Sequence, residues 1–147
     1  MFSVSVHDAA VQVERAIKDG NGCAWPLTIQ QARRTAQAYG LRLDLVPRLS
    51  PVKAALIGRQ IHLAVSPDDP IVTLVGRAIH EIAEALARRL RPQCDRIFAH
   101  RVAELVEWRA RAWLIHVPEE EDVPAPLPIE ELTYVRDEYC DPLGGED

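Results

Sequence analysis

No apolar run in this chain approaches the roughly 18 residues that a bilayer-spanning helix needs. Nor does it open on a basic segment followed by an apolar one. Membrane insertion and secretion are therefore not expected, and a cytoplasmic protein is. A basic surplus is missing too: 17 Lys and Arg stand against 22 Asp and Glu, a formal net charge of −5. That balance argues against direct nucleic-acid binding, which calls for a basic face or stripe. The dense arginines at Arg33-Arg34 and among residues 88–91 sit on or beside predicted helices with acids nearby, and read as solvated faces. Cysteine is scarce. Cys23, Cys94 and Cys140 are far apart, odd in number and without a C-x-x-C pair, which argues against a disulfide framework and suits a reducing compartment. There is no internal repeat.

What remains is an ordinary globular balance, 48% hydrophobic and 27% charged over 147 residues, enough for one domain with a real core. The stretch "VHDAAVQVERAIKDG" has helical apolar spacing and ends at Gly20. "LTIQQARRTAQAYG" follows as a second helix, with Thr28 as its cap and Gly40 closing it in the left-handed conformation. In "LRLDLVPRL", Leu41, Leu43 and Leu45 alternate with Arg42 and Asp44, the pattern of a half-buried strand. "KAALIGRQIHLAV" reads as a hairpin around Gly-Arg-Gln. His62 then points to the opposite sheet face from Ile61 and Leu63, on a strand of the kind beside which zinc proteases run extended substrates.

"SPDDP" predicts a helix start, with Asp69 as the cap and Pro70 in the first helical position. This helix runs to about Leu90, with Ile71, Val75, Ile79, Ile82, Leu86 and Leu90 as its apolar stripe, and stops at Pro92. Asp95 caps a further helix to about Val117, striped by Val102, Val106, Ala110 and Trp113. Residues 119–147 are acidic and proline-rich, with one short helix expected near residues 128–139. The order of elements predicts an α+β fold: N-terminal helices, a small antiparallel sheet and two long helices.

The chemistry sits in "HEIAE", residues 80–84. His80 and Glu84 are four apart and share a helix face, the spacing that in H-E-x-x-H puts two ligands on one metal, with the intervening glutamate, here Glu81, as general base. The same letters also read as exposed ion pairing, Arg77 with Glu81 and Glu84 with Arg88. On the next helix His100, Glu104, Glu107 and Arg111 share one face. Glu107 borders the apolar stripe between Val106 and Ala110. It is therefore the acid best placed to supply a third metal ligand, with His100 and Glu104 as rivals.

The succession "QARRTAQAYGLRLDLVP", "AALIGRQIHLAV", "HEIAE" and "EWRARAWLIHVP" resembles the ImmA/IrrE family of zinc metallopeptidase-like proteins over about residues 28–118. The resemblance implies a zincin-like domain over residues 1–118 and an extension over 119–147. It implies zinc held by His80, Glu84 and Glu107, with Glu81 as the catalytic base. It also implies a protein partner of the helix-turn-helix repressor kind, in phage or mobile-element regulation. The departure is Glu84, where the family carries its second histidine. Two carboxylates around one ion donate more electron density and lower its electrophilicity, so weak or absent hydrolase activity is expected. Two alternatives stay open: a non-catalytic protein-binding regulator on the same fold, and a carboxylate-rich site for manganese or iron.

Overall fold

In the computed structural model, residues 5–47, 54–66, 68–93 and 95–114 are described. The extension over 119–147, its short helix near 128–139 and the end of the last helix beyond Leu114 lie outside them. The described elements are α1 (Val6–Asp19), α2 (Ile29–Ala38), β1 (Arg42–Pro47), β2 (Ala54–Ile57), β3 (Gln60–Val65), α3 (Ile71–Leu90) and α4 (Arg96–Leu114). No helix among the described residues is long and apolar enough to cross a membrane.

Local chemistry sets most of the boundaries. Ser5 caps α1 by accepting from the Asp8 amide at 3.0 Å. Thr28 caps α2 by accepting from the Gln31 amide at 3.0 Å, and the Gln31 side chain reaches back to the Leu27 amide at 2.8 Å, a capping-box type of exchange. Gly40 takes φ 73° just past α2, a left-handed conformation that favours glycine. Asp95 accepts from the Phe98 amide at 2.7 Å and opens α4. Asp69, by contrast, does not cap α3. The helix starts at Ile71 with Pro70 as its N-cap and no side-chain cap bond. The Asp69 carboxylate is engaged elsewhere, accepting from the Ser66 amide at 3.0 Å and from Arg77 at 3.4 Å. Arg77 is thereby drawn toward the loop rather than to Glu81.

The fold is α+β, but the sheet is mixed rather than antiparallel. Its order is β1-β3-β2, with β1 parallel to β3 and β2 antiparallel to β3. The two-residue Gly58-Arg59 turn, with Gly58 at φ 62°, forces β2 and β3 into a hairpin. β3 then lies between the two strands that precede it. Alternation of apolar residues marks a strand but is blind to the direction of its neighbour, so β1 carried no sign of its parallel pairing. The topology also places His62 in the central strand, fully buried, with both strand edges occupied. Extended substrate cannot add to that strand.

α3 is the hub of the molecule. It packs against α1, α2, α4 and both β2 and β3. Its residues from Glu81 to Ala87 are all buried, because alanines at 83, 85 and 87 let neighbours close in on several sides. Ile79 and Ile82 are fully buried as the apolar spacing predicted, whereas Leu90 is exposed at the helix end and Ile71 is half-buried. On α4 the inward stripe is Ala99, Val102, Ala103, Val106, Ala110 and Leu114. Trp113 is 56% exposed and Trp108 72%. From Ala110 both a three- and a four-residue step continue a helical stripe. The helix takes the four-residue step to Leu114 and turns Trp113 outward.

α1 is tied to α4 by the Glu14 carboxylate, which accepts from Arg109 and, at 2.9 Å, from Lys18. Burial pushes the Glu14 carboxyl up, but the bonds from Arg109 and Lys18 outweigh it and hold its pKa below the ordinary 4.5.

Two outcomes test this packing. Leu114→Ala is expected to cost about 2–5 kcal/mol in denaturant unfolding, and Trp113→Ala no more than about 0.5 kcal/mol; equal losses would reverse the stripe. Because the folded-state pKa of Glu14 is depressed, its stabilising contribution is present above 4.5 and lost as pH falls through the folded value. The stability gap between the parent and Glu14→Gln should therefore be open at neutral pH and close in acid. Melts run across that pH range read it directly.

Candidate metal centre

α3 and α4 are joined by a short turn and run antiparallel, so residues that ascend on one face residues that descend on the other. Gly76 meets Glu107 and Arg111, His80 meets Glu107, and Glu84 meets His100. This register brings two histidines and two acids from a pair of helices to one place.

Glu84 is at the centre and only 2% exposed. Its Oε1 lies 3.7 Å from Nε2 of His80 and 3.5 Å from Nδ1 of His100. Its Oε2 lies 3.6 Å from the Arg88 guanidinium. The rings of His80 and His100 stand edge to face, 4.9 Å apart between centroids. Separations of 3.5–3.7 Å are too long for hydrogen bonds. Glu84 Oε1 and His100 Nδ1 are in fact buried without a hydrogen-bond partner among the described residues. Two ligands on one zinc ion, each about 2.0–2.2 Å from it, lie about 3.3–3.6 Å apart in a tetrahedral shell. One ligand atom each from His80, Glu84 and His100 falls within 4.8 Å of the others, so the group can hold a metal ion. The buried unbonded atoms and the mixed imidazole–carboxylate donor set fit such an ion.

Glu107, expected from the sequence as the third ligand, takes a hydrogen bond with Nδ1 of His80 at 3.0 Å. That is the side of the ring away from Glu84. Its other oxygen accepts from the Arg111 Nε at 3.1 Å. Gly76 gives this pair room: a Cβ there would sit 3.2 Å from the Arg111 guanidinium and 3.4 Å from the Glu107 carboxylate, a tight contact that those side chains would have to yield to. Glu104, the other rival, stays exposed on α4, with an oxygen 3.7 Å from Nε2 of His100. Of the residues singled out by sequence, His80, Glu84 and His100 converge, and Glu107 adjoins them through His80. Gly76 escaped sequence reading, since a mid-helix glycine carries no local sign of what packs on it.

Electrostatics follow from the crowding of charge. Burial pushes the His80 pKa down, but the bond that its Nδ1–H donates to Glu107 and the carboxylates of Glu84 and Glu81 raise it to about 10. For Glu84, burial raises the pKa, and His80, Arg88 and His100 more than offset it, leaving a net lowering. Glu107 is likewise raised by burial and lowered further by His80 and Arg111. Glu81 differs. It is 3% exposed, and its Oε1 has no hydrogen-bond partner among the described residues. Burial, then the charge of Glu84, push it up to about 8.

No protein-family model, curated protein or solved structure matches this chain.

A zinc titration of chelator-stripped protein should show one strong site, lost in His80→Ala and His100→Ala. Glu107→Gln, which weakens the orientation of His80, should lower affinity about 10- to 100-fold. Since His80 must shed its proton to bind and that proton is held up to about pH 10, affinity should climb as pH rises. A flat pH profile would mean that His80 is not a ligand.

Proposed function

We propose that this protein is a divalent-metal protein of the metallopeptidase-like, ImmA/IrrE type acting on a regulatory protein partner. In this reading His80, Glu84 and His100 hold the ion, and Glu107 orients His80. The observation that carries the proposal is the buried, unbonded pair of Glu84 Oε1 and His100 Nδ1 beside Nε2 of His80. The family resemblance implied two histidines and a glutamate, with both histidines on the H-E-x-x-H helix. Here one histidine and the glutamate exchange helices. Glu84 sits on α3 and His100 on α4, so the set keeps two imidazoles and one carboxylate. The formal charge of the three ligands is then −1 rather than the −2 of a His80, Glu84 and Glu107 set, and this removes the main electronic reason for inactivity.

When bound, a divalent ion would supply Lewis acidity toward water or a peptide carbonyl. The protein's own residues supply the proton handling. Glu81 is one residue from His80, buried, and pushed up to about 8. Its carboxyl therefore exchanges a proton near neutral pH, as a general acid–base catalyst must. Glu107 and Arg111 hold the His80 ring by Nδ1 and leave Nε2 turned toward Glu84. Arg88 balances the buried Glu84 carboxylate from the other side.

A second reading has one observation in its favour. A protonated His80 between Glu84 and Glu107 balances part of their charge with no ion, which suits a non-catalytic regulator that grips its partner. Zinc, manganese and iron all accept this donor set, so elemental analysis of the purified protein comes first. Glu81→Gln then separates enzyme from binder. It should leave metal content intact and lower cleavage of a helix-turn-helix repressor substrate about 10²- to 10⁴-fold. Unchanged partner binding with no cleavage in the parent protein would favour the regulator.

A further inference from the structure

A cleft of about 550 Å³ opens between the β2–β3 turn and the C-terminal half of α3, lined by Tyr39, Leu41, Gly58, Arg59, Arg88 and Arg89. Three arginines line it, on a chain whose formal net charge is −5. Their attachments differ in a useful way. Arg89 donates to the Tyr39 carbonyl, which fixes its position while leaving it at the surface. Arg59, on the exposed turn, forms no side-chain ion pair among the described residues. Arg88 reaches Glu84, 3.6 Å away, so it joins the cleft to the candidate metal centre. Glu84 is the sole acid among the described residues paired with any of the three. The cleft thus has a positive wall, an apolar floor in Leu41 and Tyr39, and a direct side-chain link to the ligand set.

We propose that this cleft recognises an acidic side chain of an extended polypeptide bound beside the metal centre, so that the protein selects partners with an acidic residue next to the segment it engages. The inference rests on the reading of His80, Glu84 and His100 as the metal site only for the peptide's position relative to an ion; the cleft itself does not need the ion. The space exceeds what a small inorganic anion fills, and its apolar floor suits the methylene stem and backbone of a glutamate-bearing chain. The guanidinium groups provide paired, charge-assisted donors to its carboxylate.

The test uses the full chain and fluorescence anisotropy of a fluorescein-labelled peptide of alternating Glu and Ala, beside a counterpart with Gln for every Glu. The acidic peptide should bind about tenfold more tightly, as expected from two or three solvent-accessible ion pairs together, and the preference should shrink as ionic strength rises. The double variant Arg59→Ala, Arg89→Ala should abolish the preference, and Arg59→Lys should keep part of it. Should the double variant melt early, Arg59→Glu, on an exposed turn, serves instead and should reverse the preference. Equal binding of the two peptides, or an acidic preference undiminished in these variants, would overturn the proposal. So would inorganic phosphate saturating the cleft with no peptide preference, which would make it a small-anion site. A zinc titration of the same samples separates the two readings: acidic preference without zinc binding leaves the cleft standing and removes the metal centre, and zinc binding without acidic preference does the reverse.

Discussion

The structure turns on one buried carboxylate. Glu84 is almost fully enclosed between α3 and α4, and an ionised carboxylate in such a place costs several kcal/mol unless opposite charge surrounds it. His80, His100 and Arg88 surround it from three directions. Two of the three come from its own helix and the third from α4. The antiparallel docking of α3 on α4 is therefore an electrostatic requirement as well as an apolar one, and shifting the register by one turn would leave Glu84 buried beside the wrong neighbours.

The surrounding packing is arranged so that this register can hold. Gly76 lets Arg111 and Glu107 lie against α3 one turn before His80. The alanines of α3 allow α1, α2 and the sheet to approach it, so Glu81 and Glu84 are enclosed while His100, Arg88 and Arg111 keep partial contact with solvent. α1, which packs against both α3 and α4, is clamped to α4 through Glu14 and Arg109. With so many buried acids near one another, their pKa values are driven apart. Glu84 and Glu107 are held ionised by their cationic partners, whereas at Glu81 burial and the charge of Glu84 outweigh the pull of His80 and Arg88 and drive it toward neutrality. Environments that separate like groups in this way are how one site assigns distinct proton roles. They also occur in purely structural charge networks, which is why metal content decides between the two functional readings.

Much of this was legible in the chain. Helix caps at Thr28 and Asp95, the left-handed Gly40 and the inward faces of Ile79, Ile82, Val102 and Val106 are local properties. They depend on side chains within one turn of each other, and the structure keeps them. The four-residue spacing of His80 and Glu84 likewise needs nothing beyond helical geometry. Asp69 shows where local signals stop: a good cap residue was recruited by Ser66 and Arg77 across the loop instead. Trp113 shows the same limit from the other side, since the choice between it and Leu114 depended on what α1 and α3 present to α4.

By itself, the sequence determined the helices, the strands, the pairing of His80 with Glu84 on one face and the candidacy of His100 and Glu107, because periodicity and spacing are encoded residue by residue. Only the tertiary structure decided that β3 inserts between β1 and β2, that Glu81 and Glu84 are buried rather than solvated, and that His100 joins His80 and Glu84 while Glu107 bonds the opposite nitrogen of the His80 ring. Those outcomes depend on which elements become neighbours and in what register, and a carboxylate's exposure is set by the neighbours that enclose it, not by its own position in the helical repeat.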